Sequence, residues 1–135
     1  MTDWVQHHPT HQLTAPDGQE VNIDVEIVPL VAALWRLGFE TKVACQDAGE
    51  AVREGGTRAP EADRPRVSAK LMGRAWLVIR HEHVPRFLEI CSGLGQPDDW
   101  IVRPVKKDRA ADEWLSVVFP RELIPAAARA VQAAG

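Results

Sequence analysis

Along "VNIDVEI" apolar and polar residues alternate strictly, with Val21, Ile23, Val25 and Ile27 set against Asn22, Asp24 and Glu26. A period of two belongs to a strand with one buried and one wet face. Just upstream, Pro16, Asp17 and Gly18 supply turn chemistry after "QLTA", so residues 12–27 are expected to form a hairpin. The period then changes. Pro29 suits a first helical turn, Leu30, Ala33, Leu34 and Leu37 share one helical face, and Gly38 stops the run. Alternation returns with Phe39, Thr41, Val43 and Cys45 on one side and Glu40, Lys42 and Ala44 on the other.

Asp47 followed by Glu50 resembles a capping arrangement for a short helix at 48–53. "EGGTRAPEADRPR" interrupts all periodicity with glycine, proline and alternating charge, so 53–66 is expected to be a flexible loop. Further on, the pattern predicts a short strand at 67–71, a turn at Gly73 and a strand at 75–80. A helix over 84–93 follows, with Val84, Phe87, Leu88, Cys91 and Leu94 at core spacing. "DDWIVRPV" reads as a strand that its proline pushes to a sheet edge, "KKDRAADE" as a loop, "EWLSVVF" as a strand and "IPAAARAVQAA" as a closing helix.

An apolar residue followed by proline opens a helix three times, at Val28-Pro29, Val84-Pro85 and Ile124-Pro125, each a few residues after a strand. Two β-α-β units and a final β-α follow from that spacing. The expected fold class is α+β: a mainly antiparallel sheet with about three helices on one face, in a split β-α-β, ferredoxin-like arrangement. The 135 residues suit one domain, 1–135, with a polar segment at 1–11.

Composition narrows the function. With 45% apolar and 26% charged residues the chain has an ordinary globular balance. Two cysteines do not make a disulfide scaffold. No secretory leader and no apolar run of membrane-spanning length is present, so a cytoplasmic protein with no membrane role is expected. The net charge of −3 draws the protein toward neither nucleic acid nor an anionic surface. No P-loop, dinucleotide fingerprint, nucleophile elbow, H-E-x-x-H or C-x-x-C occurs, and nothing names a cofactor.

Three constellations carry chemistry. Cys45 precedes a helix start, where peptide dipoles favour thiolate. Gln46 could orient a carbonyl or water there, although Asp47 places an anion beside the sulfur. His81 and His83 are two apart at a strand end and, with Cys45, form a three-ligand metal candidate; His7 and His11 make a second pair, broken by Pro9. Arg64, Arg66, Lys70 and Arg74, and again Arg103, Lys106, Lys107 and Arg109, lie near Trp76 and Trp100 in sequence. Bases and aromatics on a sheet face suit single-stranded nucleic acid, but Glu61, Asp63, Asp108, Asp112 and Glu113 dilute the charge, which disfavours that partner.

The segment "VPLVAALWRLGFETKVACQDAGEAV" resembles a group of small uncharacterised bacterial and phage proteins. They carry a helix, L-x-x-L-G-x-x-T, and then Ser/Ala-Cys-Gln-Asp/Gly; no activity comes with the resemblance. A fainter likeness is to the wybutosine-synthesis methyltransferases, whose Thr-x-Ser-Ser-Cys-Ser-Gly segment also follows an extended run; here Ala44 stands for a serine and Gln46-Asp47 for Ser-Gly.

The leading expectation is a binding or accessory domain. A small molecule or protein segment would sit in a cleft where Thr41, Cys45, Gln46 and Asp47 meet the 53–66 loop, with Trp35 at its rim. The alternatives are a Cys45-centred enzyme or metal site with His81 or His83, single-stranded nucleic-acid binding, and a self-associating protein that dimerises through an edge at 99–105 or through Trp35.

Overall fold

A computed structural model describes residues 10–53, 61–104 and 114–134. Strands β1 (Thr10–Thr14) and β2 (Glu20–Asp24) form the expected antiparallel hairpin. It closes through the Ala15 and Gly18 amides, and Gly18 takes φ +90°. Helix α1 (Val28–Arg36) leads to β3 (Thr41–Cys45) and α2 (Ala48–Arg53). Helix α3 (Arg64–Leu71) precedes β4 (Arg74–Arg80), and α4 (Val84–Ile90) follows it. Strands β5 (Ile101–Pro104) and β6 (Trp114–Pro120) and helix α5 (Ile124–Ala134) complete the chain.

Strands β3, β4, β6 and β5 form one antiparallel sheet in that order, so β5, the strand bearing Pro104, does lie at an edge. The α+β class and the antiparallel sheets are as expected. The described residues hold five α-helices rather than about three. The two strands that flank α1 fall in separate sheets, so a ferredoxin-like arrangement is not shown.

The recurring proline marks a real structural unit. Each strand before it ends on an extended corner residue, with φ and ψ of −53° and 130° at Asp24, −57° and 135° at Arg80, and −58° and 132° at Pro120. A single 3-10 turn follows, at Val25–Ile27, His81–His83 and Arg121–Leu123, and proline sits in the next helix's first turn. There its fixed φ fits and its missing N–H costs nothing. Val25 and Ile27, expected to continue the strand, are therefore in the turn. The 3-10 turn and helix-opening proline recur a fourth time. Glu61–Asp63 form a 3-10 turn and Arg64-Pro65 open α3. This corrects two expectations: 61–66 is helical rather than loop, and 67–71 is helix rather than strand. Residues 54–60 of that expected loop, most of the polar segment 1–11 including His7, and the loop at 106–113 lie outside the described residues.

One sheet face is sealed. Ala75, Leu77, Ile79, Val117 and Phe119 pack with Leu30, Leu34, Phe87, Ile124, Ala127 and Val131 from α1, α4 and α5. Trp100 stacks on Phe119 at 4.7 Å and meets Phe87 edge-on at 6.0 Å, so it belongs to this side. Each fully buried Val, Leu, Ile or Phe side chain among these contributes about 1.5–3 kcal/mol. The opposite, outer face carries Trp76, Ser116, Val118, Ile101 and Arg103, and α3 lies over part of it.

Candidate ligand groove on the outer face

The position of Cys45 follows from one irregularity. Thr41 pairs with Ile79 and Val43 with Val78, so Lys42 is an extra residue in β3, a bulge. Beyond it the alternation is reversed: Ala44 opposes Leu77 on the core side and Cys45 opposes Trp76 on the outer side. Cys45 therefore does not share a face with Phe39 and Thr41, as the uninterrupted pattern requires. Burial, with the negative charge of Asp24 behind it, pushes the Cys45 thiol up to about 12. Both effects disfavour the thiolate.

The metal candidate is also corrected. Cys45 lies at the Trp76 end of β4, whereas His81 and His83 follow its other end. Five residues of strand separate them, about 16 Å. Among the described residues no group of three His, Cys, Asp or Glu side chains is placed to hold an ion. His83 instead packs its ring on Phe39 at 5.0 Å, and His81 is exposed.

Gln46 and Asp47 are 4% and 3% exposed and engaged in internal bonds. The Gln46 amide donates to Asp24 Oδ2 at 3.0 Å, and its side-chain oxygen accepts from the Glu26 amide at 2.9 Å. Asp47 Oδ1 accepts from the Glu50 amide, which caps α2, and Oδ2 accepts from the Gly73 amide, both at 3.0 Å. Arg121 Nη1 reaches Asp47 Oδ2 at 3.1 Å and lies 3.5 Å from Glu50, while its other nitrogens hold Glu26 at 2.6–3.1 Å. The Glu26 hydrogen bond raises the Arg121 pKa above its usual value against the opposing effect of burial, and charge from Glu26 and contact with Asp47 and Glu50 add to the rise. These bonds tie the hairpin, the exit of β3, the turn at Gly73 and the exit of β6 into one hub. At the start of α2 the Glu50 amide is already taken by Asp47.

Trp35 and Thr41 lie elsewhere again. Trp35 Nε1 donates to Thr41 Oγ1 at 2.9 Å, and both line a cleft of about 690 Å³ between the hairpin and β3, to which Val43 and Ala44 also contribute. The five residues grouped from the sequence thus divide among three places: Cys45 on the outer face, Gln46 and Asp47 in the hub, and Trp35 and Thr41 in the hairpin cleft.

The outer face offers a different arrangement. A groove of about 590 Å³ runs between α3 and β5. Trp76, Val118 and Ile101 floor it, Arg66 and Lys70 rise on the α3 side, and Arg103 stands on the β5 side. Trp76 Nε1 donates to Ser116 Oγ at 2.9 Å, which fixes the indole in the sheet surface. Arg66 has a loose contact with Asp63 at 3.6 Å between exposed side chains. Among the described residues no carboxylate lines the groove or pairs with Lys70 or Arg103. The α3 wall depends on one close approach: Gly49 of α2 sits against the α3 exit, where an added Cβ would lie 2.4 Å from Met72 Cα, and Ser68 Oγ donates to Gly49 O at 2.7 Å.

Comparison with protein-family models, curated proteins and solved structures found no match. No helix among the described residues is long and apolar enough to cross a membrane. The basic residues of the groove were visible in the sequence as two separate clusters; the hub's Arg121 and Glu26 were not singled out. The signal for the latter was the repeat itself, since Glu26, Glu82 and Glu122 each precede the helix-opening proline by three residues.

Proposed function

We propose that this is a non-catalytic binding domain that holds an anionic ligand with a flat or apolar body in the groove between α3 and β5. The carrying observation is an aromatic floor walled by Arg66, Lys70 and Arg103 and lined by no carboxylate among the described residues, in a chain whose net charge is −3. The volume suits a small organic ligand. Burying a cation's partner in such a groove strengthens the charge-assisted bond it makes. The Cys45 enzyme has less support, because a thiol raised to about 12 supplies no thiolate at neutral pH.

Calorimetric titration with a nucleoside monophosphate, an aromatic carboxylate and an aromatic sulfonate tests the reading. At least one is expected to bind the wild type and to bind the Lys70→Glu/Arg103→Glu double variant at least tenfold more weakly. Equal binding by the charge-reversed variant, or no binding by any of the three, overturns it.

A further inference from the structure

We propose, resting on the groove reading above, that the ligand is a single-stranded nucleic acid a few nucleotides long, laid across the outer face from Trp76 toward Trp114. The argument begins with register. Trp76 opposes Val118 and Trp114 opposes Arg80, so both indoles belong to the outer face. They are four strand residues apart, about 13 Å, with Ser116 between them in the same row. The sequence pairs Trp76 with Trp100, but the structure turns Trp100 into the core and brings in Trp114 instead.

Cations accompany both rings. Arg66 and Lys70, one helical turn apart, and Arg103 flank Trp76. The Arg80 guanidinium lies 4.3 Å from the centre of the Trp114 ring, with Lys42 at 5.6 Å; Arg80 also pairs with Glu40 at 3.2 Å. A compact aromatic anion carries its charge at one end and needs one ring and one wall. A polymer with charge between successive flat groups uses two rings and cations on both sides, which is the chemistry of a single strand: unpaired bases stack on aromatic side chains while basic residues track the backbone. A duplex keeps its base faces occupied and gains nothing from the indoles. The net charge of −3 gives no long-range attraction, so binding rests on local contacts and its salt dependence is modest.

Fluorescence anisotropy with end-labelled eight-nucleotide DNA and RNA single strands, the matching duplexes and an unlabelled mononucleotide competitor tests the proposal. Either single strand is expected to bind at least tenfold tighter than its duplex. With three cations contacting phosphates, log K is expected to fall with log salt at a slope of about −2. Lys70→Gln and Arg103→Gln should each shrink that slope by about 0.7. Trp76→Ala should weaken binding by roughly 5- to 150-fold with Trp76→Phe restoring most of it, and Trp114→Ala should weaken the octamer but not the mononucleotide. If the octamer binds no tighter than the mononucleotide, or if duplex and single strand bind alike, the ligand class is overturned. In that event mononucleotide binding that still falls with Arg103→Gln leaves the groove reading standing. If no anion binds, both are overturned.

Discussion

Two clusters of charged side chains, the hub around Arg121 and the groove over Trp76, use charge in opposite ways. At the hub, Arg121 is ringed by Glu26, Asp47 and Glu50, and the buried carboxylate is completed by two backbone amides. In the groove, Arg66, Lys70 and Arg103 surround an indole and face no lining carboxylate among the described residues. A buried charge is tolerated only when its partners are supplied from within; an exposed charge without an internal partner costs little to keep. The first cluster is the means by which four chain segments are joined. The second is available to something outside the chain.

Breaking the hub should have the largest effect. Asp47→Ala leaves the Gly73 amide and the end of α2 without an acceptor and removes one of Arg121's anions. Loss of the helix cap and of the acceptor for the Gly73 amide is expected to destabilise by about 2–4 kcal/mol, while Arg121, 31% exposed, keeps Glu26 and Glu50. Urea unfolding measures it, and a loss under about 1 kcal/mol would mean that the hub is ornamental. The groove side predicts a smaller and more informative effect from Gly49→Ala. The new Cβ would meet Met72 backbone at 2.4 Å and Ser68 O at 2.7 Å, atoms that cannot rotate away. Overpacking of this sort costs about 1–3 kcal/mol. Because the strain acts on the α3 wall, ligand affinity should fall along with the unfolding midpoint, whereas a core variant such as Leu77→Ala should lower the midpoint alone.

The contrast also explains what could be seen in the sequence. Hairpin, α1, β4, α4, β6 and α5 were legible because alternation, helical spacing and proline agree there. Helix α3 is hidden in the sequence because "EADRPRVSAKL" has no strong amphipathic stripe; only Arg64-Pro65 marks it, and there a charged residue stands where the three other junctions have an apolar one. The site was less legible for a related reason. A single extra residue at Lys42 reverses the facing of everything after it in β3, and nothing in "FETKVACQ" announces a bulge. Cys45 was therefore assigned to the same face as Phe39 and Thr41, and the Gln46–Asp47 pair was read as chemistry rather than as bracing. Conversely the groove is assembled from α3, β4, β5 and β6, so Arg103 is far in sequence from Arg66 and Lys70, and neither basic cluster alone reveals all three cations.

Cys45, which opposes Trp76 and feels Asp24, lies between the two clusters and can be used to separate them. Both Cys45 and Cys91 have thiols raised to about 12 from an ordinary 9.0, Cys91 by burial. Below pH 9 the thiols are protonated in folded and unfolded chains alike, and stability is indifferent to them. Between pH 9 and 12 the unfolded chain releases these protons and the folded chain retains them, so stability falls as pH rises, by about 1.4 kcal/mol per thiol per pH unit. Comparing urea midpoints at pH 8 and pH 10 for the wild type and Cys45→Ala isolates one thiol's share. Iodoacetamide at pH 8 should modify native Cys45 far more slowly than the denatured chain; fast native labelling would return the thiol to the list of reactive groups.

The smallest stability effect is expected where the proposed binding effect is largest, and this sets the two clusters furthest apart. Lys70 and Arg103 have no carboxylate among the described residues to lose, and both side chains are at exposed positions. The double variant Lys70→Gln/Arg103→Gln is therefore expected to unfold within about 0.5 kcal/mol of the wild type. Any shift should be toward greater stability, because bringing like charges to opposite walls of one groove is mildly unfavourable, and the shift should vanish at 1 M salt, where the screening length is about 3 Å. A loss of more than about 1 kcal/mol would show that these cations are held by internal partners, as Arg121 is. The difference between the clusters would then be one of degree, and the groove would lose its claim to an external ligand.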